Sequence, residues 1–258
     1  MIVAIIQARM GSTRLPGKIL KPILGRPMLS LMLERVKRTK RVDAVVVATT
    51  DKVEDDATAD LAKKCGAIVF RGSEGDVLDR FYKAAKEVKA NTIVRLTGDC
   101  PIMDPDVIDM VIERFETSRE KVDYSSTPNN YPEGLDIEIF TFATLEKAAQ
   151  NAKLPSEREH VSVYIKNHPE SFKCESWREG EGDNSSLHWS VDTISDFEFV
   201  TKVFEYLYPS NPNFNKHDVL TLLKKHPELL DINKGGTGYE GLAKSLKEDE
   251  QFKKSKND

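Results

Sequence analysis

Apolar, β-branched runs recur through the first hundred residues at VAII (3–6), AVVVAT (44–49), AIVF (67–70) and TIVRLTG (92–98). Between them the apolar positions change to helical spacing, in PMLSLMLERVKR (27–38), VEDDATADLAKKC (53–65) and DVLDRFYKAAKEV (76–88). Strands too apolar to face water, alternating with amphipathic helices, predict an α/β chain: a mostly parallel sheet with helices on both faces, in three layers. In DVLDRFY the positions of Leu78, Phe81 and Ala85 assign them to the core. Ligands in such sheets gather at the carboxyl ends of the strands, so the residues that follow each run carry the functional information.

The second half is less regular. A helix is expected over 104–115, with Pro105 near its start. GLDIEIF (134–140) and LHWSV (187–191) read as strands, SEREHVSVYIKNH (156–168) and FEFVTKVFEYLY (197–208) as helices, and the Gly-rich polar stretch 176–186 as a loop. The end, KSLKEDEQFKKSKND, lacks apolar periodicity and reads as a frayed, charged tail over 244–258. With no internal repeat and no linker-like stretch, residues 1–243 are expected to form a single domain.

Composition narrows the class. Hydrophobic residues are 39% and charged residues 31%, the balance of an ordinary folded chain. No apolar run approaches the roughly 18 residues that span a bilayer, and Met1 leads straight into strand pattern, so a cytoplasmic protein away from membranes is expected. Cys65, Cys100 and Cys174 are odd in number and include no CxxC pair, which argues against a disulfide framework or a zinc site. A net charge of −4 argues against general nucleic-acid binding. Yet residues 1–41 carry +9 and the remainder −13, so positive charge is concentrated near the first strand.

That segment contains QARMGSTRLPGK (7–18), directly after the first strand. Small residues leave backbone N–H groups free to face a ligand, and the adjacent Arg9, Arg14 and Lys18 can neutralise several negative charges, so the loop reads as a polyphosphate cradle. It is neither a P-loop, since Ile19 follows Lys18, nor a dinucleotide fingerprint, since Gly11 and Gly17 are six apart. Solvated surface cations are the competing reading. Asp99 follows Gly98 at the fourth strand's end, and Asp192 follows another strand pattern. Carboxylates there suit Mg²⁺ bridging phosphate oxygens, or helix caps.

Taken together, QARMGSTRLPGK, ATTD (48–51), GSEGDVLDRFY (72–82), RLTGDCP (95–101), PEGLDIE (132–138), SEREHV (156–161) and WSVDTISDFE (189–198) resemble the cytidylyltransferase family. The similarity is greatest to its spore coat polysaccharide biosynthesis branch, related to enzymes that activate acylneuraminate and 3-deoxy-manno-octulosonate with CTP. The motifs keep the family's order over roughly residues 1–240. The resemblance implies a Rossmann-like fold of the nucleotide-diphospho-sugar transferase type. It implies that Ala8, Arg9, Met10, Gly11, Ser12 and Thr13 wrap the triphosphate while Arg14 and Lys18 bind its oxygens. Thr49, Thr50, Asp51, Ser73, Glu74, Asp76, Arg80 and Gly98 would border the nucleotide. Asp99 and Asp192 would hold Mg²⁺, with Arg14, Lys18 and Asp99 catalytic. Gly134, Asp136, Glu138, Glu157, Arg158 and His160 would face the acceptor. Helical spacing puts Glu157 and His160 on one face and Arg158 on another; a structural histidine at 160 is the plainer alternative. Related enzymes are often dimers, which makes a homodimer an expectation.

The function so implied is transfer of CMP from CTP to a sugar, sugar acid or similar polar acceptor, with release of pyrophosphate, in surface polysaccharide or glycoconjugate biosynthesis. The acceptor oxygen would attack the α-phosphorus in line, a reaction that needs alignment and charge neutralisation more than a protein nucleophile. A nucleotide-sugar-dependent glycosyltransferase would leave RLPGK unexplained, and retention of both acids counts mildly against a non-catalytic nucleotide sensor. The acceptor, cytosine against uracil, the number of metal ions and the oligomeric state stay open.

Overall fold

The computed structural model describes residues 1–118, 121–180, 182–234 and 240–255. The predicted β-α alternation forms as β1 (Ile2–Gln7), α1 (Met28–Val36), β4 (Ala44–Thr50), α2 (Asp56–Lys64), β5 (Ile68–Gly72), α3 (Val77–Glu87), β6 (Thr92–Thr97) and α4 (Pro105–Thr117), with the short hairpin β2 (Pro22–Ile23) and β3 (Arg26–Pro27) before α1. Then come β7 (Tyr124–Ser126), β8 (Glu138–Thr141), α5 (Phe142–Asn151), α6 (Pro155–Glu159), α7 (Val163–Asn167), α8 (Ile194–Leu207), α9 (Lys216–Lys225) and α10 (Glu240–Ser255).

The main sheet has six strands in the order β5-β4-β1-β6-β8-β7. The first four are parallel, while β8 runs antiparallel to both β6 and β7. Alternation along β1 feeds two cores: Ala4 and Ile6 pack toward α1, α4, α8 and α9, Val3 and Ile5 toward α3 and α5. Both faces are therefore dry, which explains the unbroken apolar runs. Gln7, Thr50, Gly72 and Thr97 end the four parallel strands along one edge.

The second half departs from the pattern. Of the 134–140 run only the last three residues join a strand, β8, and LHWSV contributes an isolated bridge between Glu133 and His188. The single helix expected over 156–168 is two short ones, broken where His160 leaves helical geometry at φ −107°, ψ 63°. The supposed tail contains α10, which docks on α6: buried Asp249 accepts from the Ser156 backbone N–H (2.9 Å) and hydroxyl (2.6 Å). Its buried positions include Ser245 and Asp249, so hydrogen bonding supplies what apolar periodicity does not. Among the described residues, no helix is long and apolar enough to cross a membrane.

Candidate active site

The chain leaves β1 into a loop whose shape is fixed from within and from β4. Buried Asp55 accepts the Met10 N–H at 2.7 Å and the hydroxyls of Thr50 and Thr58. The Met10 carbonyl accepts from the amides of Ser12 (2.8 Å) and Gly17 (3.1 Å), and the Ser12 hydroxyl accepts from the Leu15 N–H. Gly17 takes φ 68°, a left-handed conformation that glycine adopts at little cost, and so turns Lys18 inward. Gly11 and Thr13 keep amides with no partner among the described residues, at the wall of the cleft.

The two predicted acids meet at this loop. Gly98 lets the ends of β1 and β6 approach, because a Cβ there would sit 2.9 Å from the Gln7 carbonyl oxygen. Beyond it, the Asp99 carbonyl accepts from the Val191 amide at 2.8 Å, which brings Asp192 alongside. The Lys18 ammonium donates to Asp99 (2.9 Å), Asp192 (3.1 Å) and the Val191 carbonyl (2.6 Å). Arg14 pairs with Asp192 at 2.9 Å. Burial works against the Lys18 charge, but the two carboxylates outweigh it and raise its pKa. Burial would likewise raise Asp99; Lys18 reverses this and holds the carboxyl below its usual range.

A cleft of about 450 Å³ opens here, enough for a nucleotide. Of the predicted residues, Ala8, Arg9, Gly11, Ser12, Thr13, Arg14, Lys18, Arg80, Gly98, Asp99, His160 and Asp192 line it. Arg80 reaches in from α3, anchored by a 2.7 Å bond to the Ser73 carbonyl; burial lowers its pKa to about 10, and its buried Nε has no partner among the described residues. A nearly sequestered guanidinium with spare donors suits an anionic or carbonyl-rich ligand.

The other nucleotide candidates sit behind the wall rather than in it. Met10 shapes the loop through its backbone. Thr49 and Thr50 are buried at the end of β4, and Asp51 is exposed beyond it. Glu74 bridges Arg9 and Lys52, while Asp76 caps α3 by accepting from the Asp79 N–H at 2.9 Å.

Most of the acceptor candidates have partners within the protein. Glu138 is buried and accepts from Tyr124 (2.7 Å), Ser162 (2.7 Å) and Lys166 (3.0 Å), with Arg95 completing its shell. Burial opposes its charge, but these partners hold it far below the ordinary carboxylate range. Glu157 accepts from the amides of Lys153 (2.8 Å) and Leu154 (2.9 Å) at the start of α6. Arg158 pairs with Asp76 and donates to the Ala149 carbonyl, tying α6 to α3 and α5. Gly134 (φ 97°) is a close-packing site, where a Cβ would meet the Trp189 carbonyl carbon at 2.6 Å. Asp136 closes the same turn by accepting from the Gly134 N–H at 2.7 Å. His160 alone of the six lines the cleft.

Glu133, His188 and Asp192 also offer potential ligand atoms within 4.8 Å of one another. His188, however, lies 2.8 Å from Glu133 and 3.5 Å from Asp196. Burial opposes protonation, but the hydrogen bonds to Asp196 and Glu133 raise its pKa to about 10 and favour the charged ring.

Motif reading passed over Gln7, Ile19, Val77, Thr97, Glu159 and Lys244, which also line the cleft. Gln7 and Thr97 were recoverable as strand-end residues and Glu159 as part of SEREHV; Lys244 carried no signal, because α10 reads as tail.

The structure thus sets a cleft of nucleotide size at the carboxyl ends of a parallel sheet, with a cationic loop opposed by paired acids. The family model described as cytidylyltransferase matches residues 3–232, and the chain belongs to that family. It is 35% identical over 233 residues to the spore coat polysaccharide biosynthesis protein SpsF of Bacillus subtilis, covering 88% of this chain and 95% of that one. A 3-deoxy-manno-octulosonate cytidylyltransferase of Trichlorobacter lovleyi is 39% identical over 116 residues, 44% of each chain. The solved structure of a cytidylyltransferase from Leptospira borgpetersenii is 38% identical with a TM-score of 0.84, over 92% of this chain and 98% of that one. The protein is thus an enzyme that moves a cytidylyl group from CTP.

Proposed function

We propose that this cytidylyltransferase transfers CMP from CTP to a hydroxyl of a sugar acid or similar polar acceptor used in surface polysaccharide synthesis, releasing pyrophosphate. One observation carries the reading: a single ammonium, Lys18, is held between Asp99 and Asp192 where the phosphate loop closes. It is a stand-in cation, so the carboxylate pair has the charge and hard oxygen donors that a divalent ion such as Mg²⁺ takes. When bound there, that ion would polarise the α-phosphate and offset developing charge. The spore coat and 3-deoxy-manno-octulosonate relatives support the acceptor class.

The chain's own groups would do the rest. The Gly11 and Thr13 amides and Arg9 would receive the outer phosphates. Arg14 and Lys18 would neutralise the departing pyrophosphate, their Asp192 and Asp99 contacts exchanged for phosphate oxygens. Arg80 would hold the nucleoside end. In-line attack needs no protein nucleophile; the hydroxyl that meets the cleft residue His160, that of Ser245, donates its proton to Glu159.

The test is incubation with CTP, Mg²⁺ and a panel of sugar acids, phosphorylated polyols and neutral sugars, followed by mass detection of CMP adducts and assay of pyrophosphate. A CMP adduct with stoichiometric pyrophosphate is expected. CTP binding without turnover on any acceptor would instead favour a sensor.

A further inference from the structure

The family match ends at residue 232, whereas α10 begins at Glu240. The cleft wall therefore includes an element outside the family's shared region. The anchoring of α10 is specific: Asp249 takes both donors of Ser156, and buried Ser245 donates to Glu159 (2.5 Å) while lying 3.1 Å from His160 Nε2. Because the Ser245 proton is committed to Glu159, the His160 Nε2 must donate to Ser245 Oγ. Ser245 thus fixes the orientation of two residues that face the cleft. The preceding residue, Lys244, lines the same cleft. Its ammonium is largely exposed and meets only Glu248, at 3.7 Å, among the described residues, a weak contact that a ligand can replace.

We infer that α10 is the acceptor-recognition element of this enzyme, with Lys244 a specificity-determining residue that selects acceptors bearing an anionic group. The inference rests on the proposed transfer reaction. The phosphates of CTP already have the loop amides, Arg9, Arg14 and Lys18. A further cation on the α6–α10 wall, beside the Glu159 carboxylate, matches a ligand with one negative group and several hydroxyls. A sugar carboxylate and a sugar or polyol phosphate both have this chemistry.

The experiment uses the full chain and three probes: 3-deoxy-manno-octulosonate, ribitol 5-phosphate and mannose. For Lys244→Glu, kcat/KM with the anionic probe used by the parent enzyme is expected to fall roughly 10-fold or more, mainly through KM. CTP affinity, measured by calorimetry, should be unchanged, and Lys244→Arg should retain most of the activity. Lys247→Glu, an exposed position on the same helix outside the cleft, should change neither value. Which anionic probe reacts identifies carboxylate or phosphate. Turnover confined to mannose, no turnover with either anionic probe, or equal activity of Lys244→Glu and parent overturns the inference and leaves cytidylyl transfer standing. A parallel loss of CTP affinity would also overturn it, by placing Lys244 at the nucleotide. Failure of the parent enzyme to bind CTP at all would instead defeat the transfer reading.

Discussion

Lys18 and Asp99, 81 positions apart in the chain, form a 2.9 Å ion pair at the closing edge of the loop after β1. The same ammonium reaches Asp192, so one side chain reports on both the anionic and the cationic halves of the site.

If Lys18 and Arg14 neutralise the β- and γ-phosphates, Lys18→Ala and Arg14→Ala should weaken CTP far more than CMP. Charge-assisted contacts of about 1.5–3 kcal/mol correspond to roughly 10- to 150-fold in CTP affinity. Calorimetric titration with both nucleotides checks this; equal small losses would place these cations outside the phosphate site.

Asp99→Asn should leave the fold intact while lowering turnover on the order of 100-fold, since an amide keeps the shape but not the charge that a divalent ion requires. Asp192→Asn should behave similarly. Pyrophosphate release measured across a Mg²⁺ titration decides, with near-parent activity removing the altered residue from the metal pair.

Asp55→Ala strands the Met10 amide and two buried hydroxyls, so it should cost about 1–3 kcal/mol in chemical denaturation and raise KM for CTP by loosening the loop. Unchanged KM would mean that the loop holds its shape without Asp55.

Glu138→Gln separates structure from recognition. Breaking a buried charge network costs about 3–5 kcal/mol, so its unfolding midpoint should fall sharply. At temperatures where the variant stays folded, acceptor KM should match the parent; an acceptor-specific KM increase would restore Glu138 to the binding site.

The His188 cluster makes stability depend on pH. Its folded pKa is raised to about 10, so its contribution is fully present below the ordinary histidine range and declines as pH rises toward 10. Thermal melts at pH 6, 8 and 10 should show this decline, and His188→Gln should flatten it.

The β-α half was legible because two dry faces demand continuous apolar strands, and because glycine at strand ends marks close approach. Gly98 illustrates the second point. Gly11 does not: it stays outside the left-handed region, and a Cβ there meets only the flexible end of Glu74 at 3.2 Å. The acceptor region was less legible because charged residues look alike in a sequence whether they cap a helix, as Glu157 does, or fill a buried ion pair, as Glu138 does. The missed helix shows a related blindness. Its docking runs through Ser245 and Asp249, and hydrogen-bonded burial leaves no hydrophobic period to detect.

The bond from Lys18 to the Val191 carbonyl, closed across 173 residues, also constrains when the site can exist. A ribosome releases the phosphate loop early, but its partners at the second acid emerge only after most of the sheet has been made. Loop-closure cost grows only slowly with separation, about 0.6 kcal/mol per doubling, so the distance decides order more than energy. Lys18 must wait for Val191 and Asp192 to be made before its contacts can close.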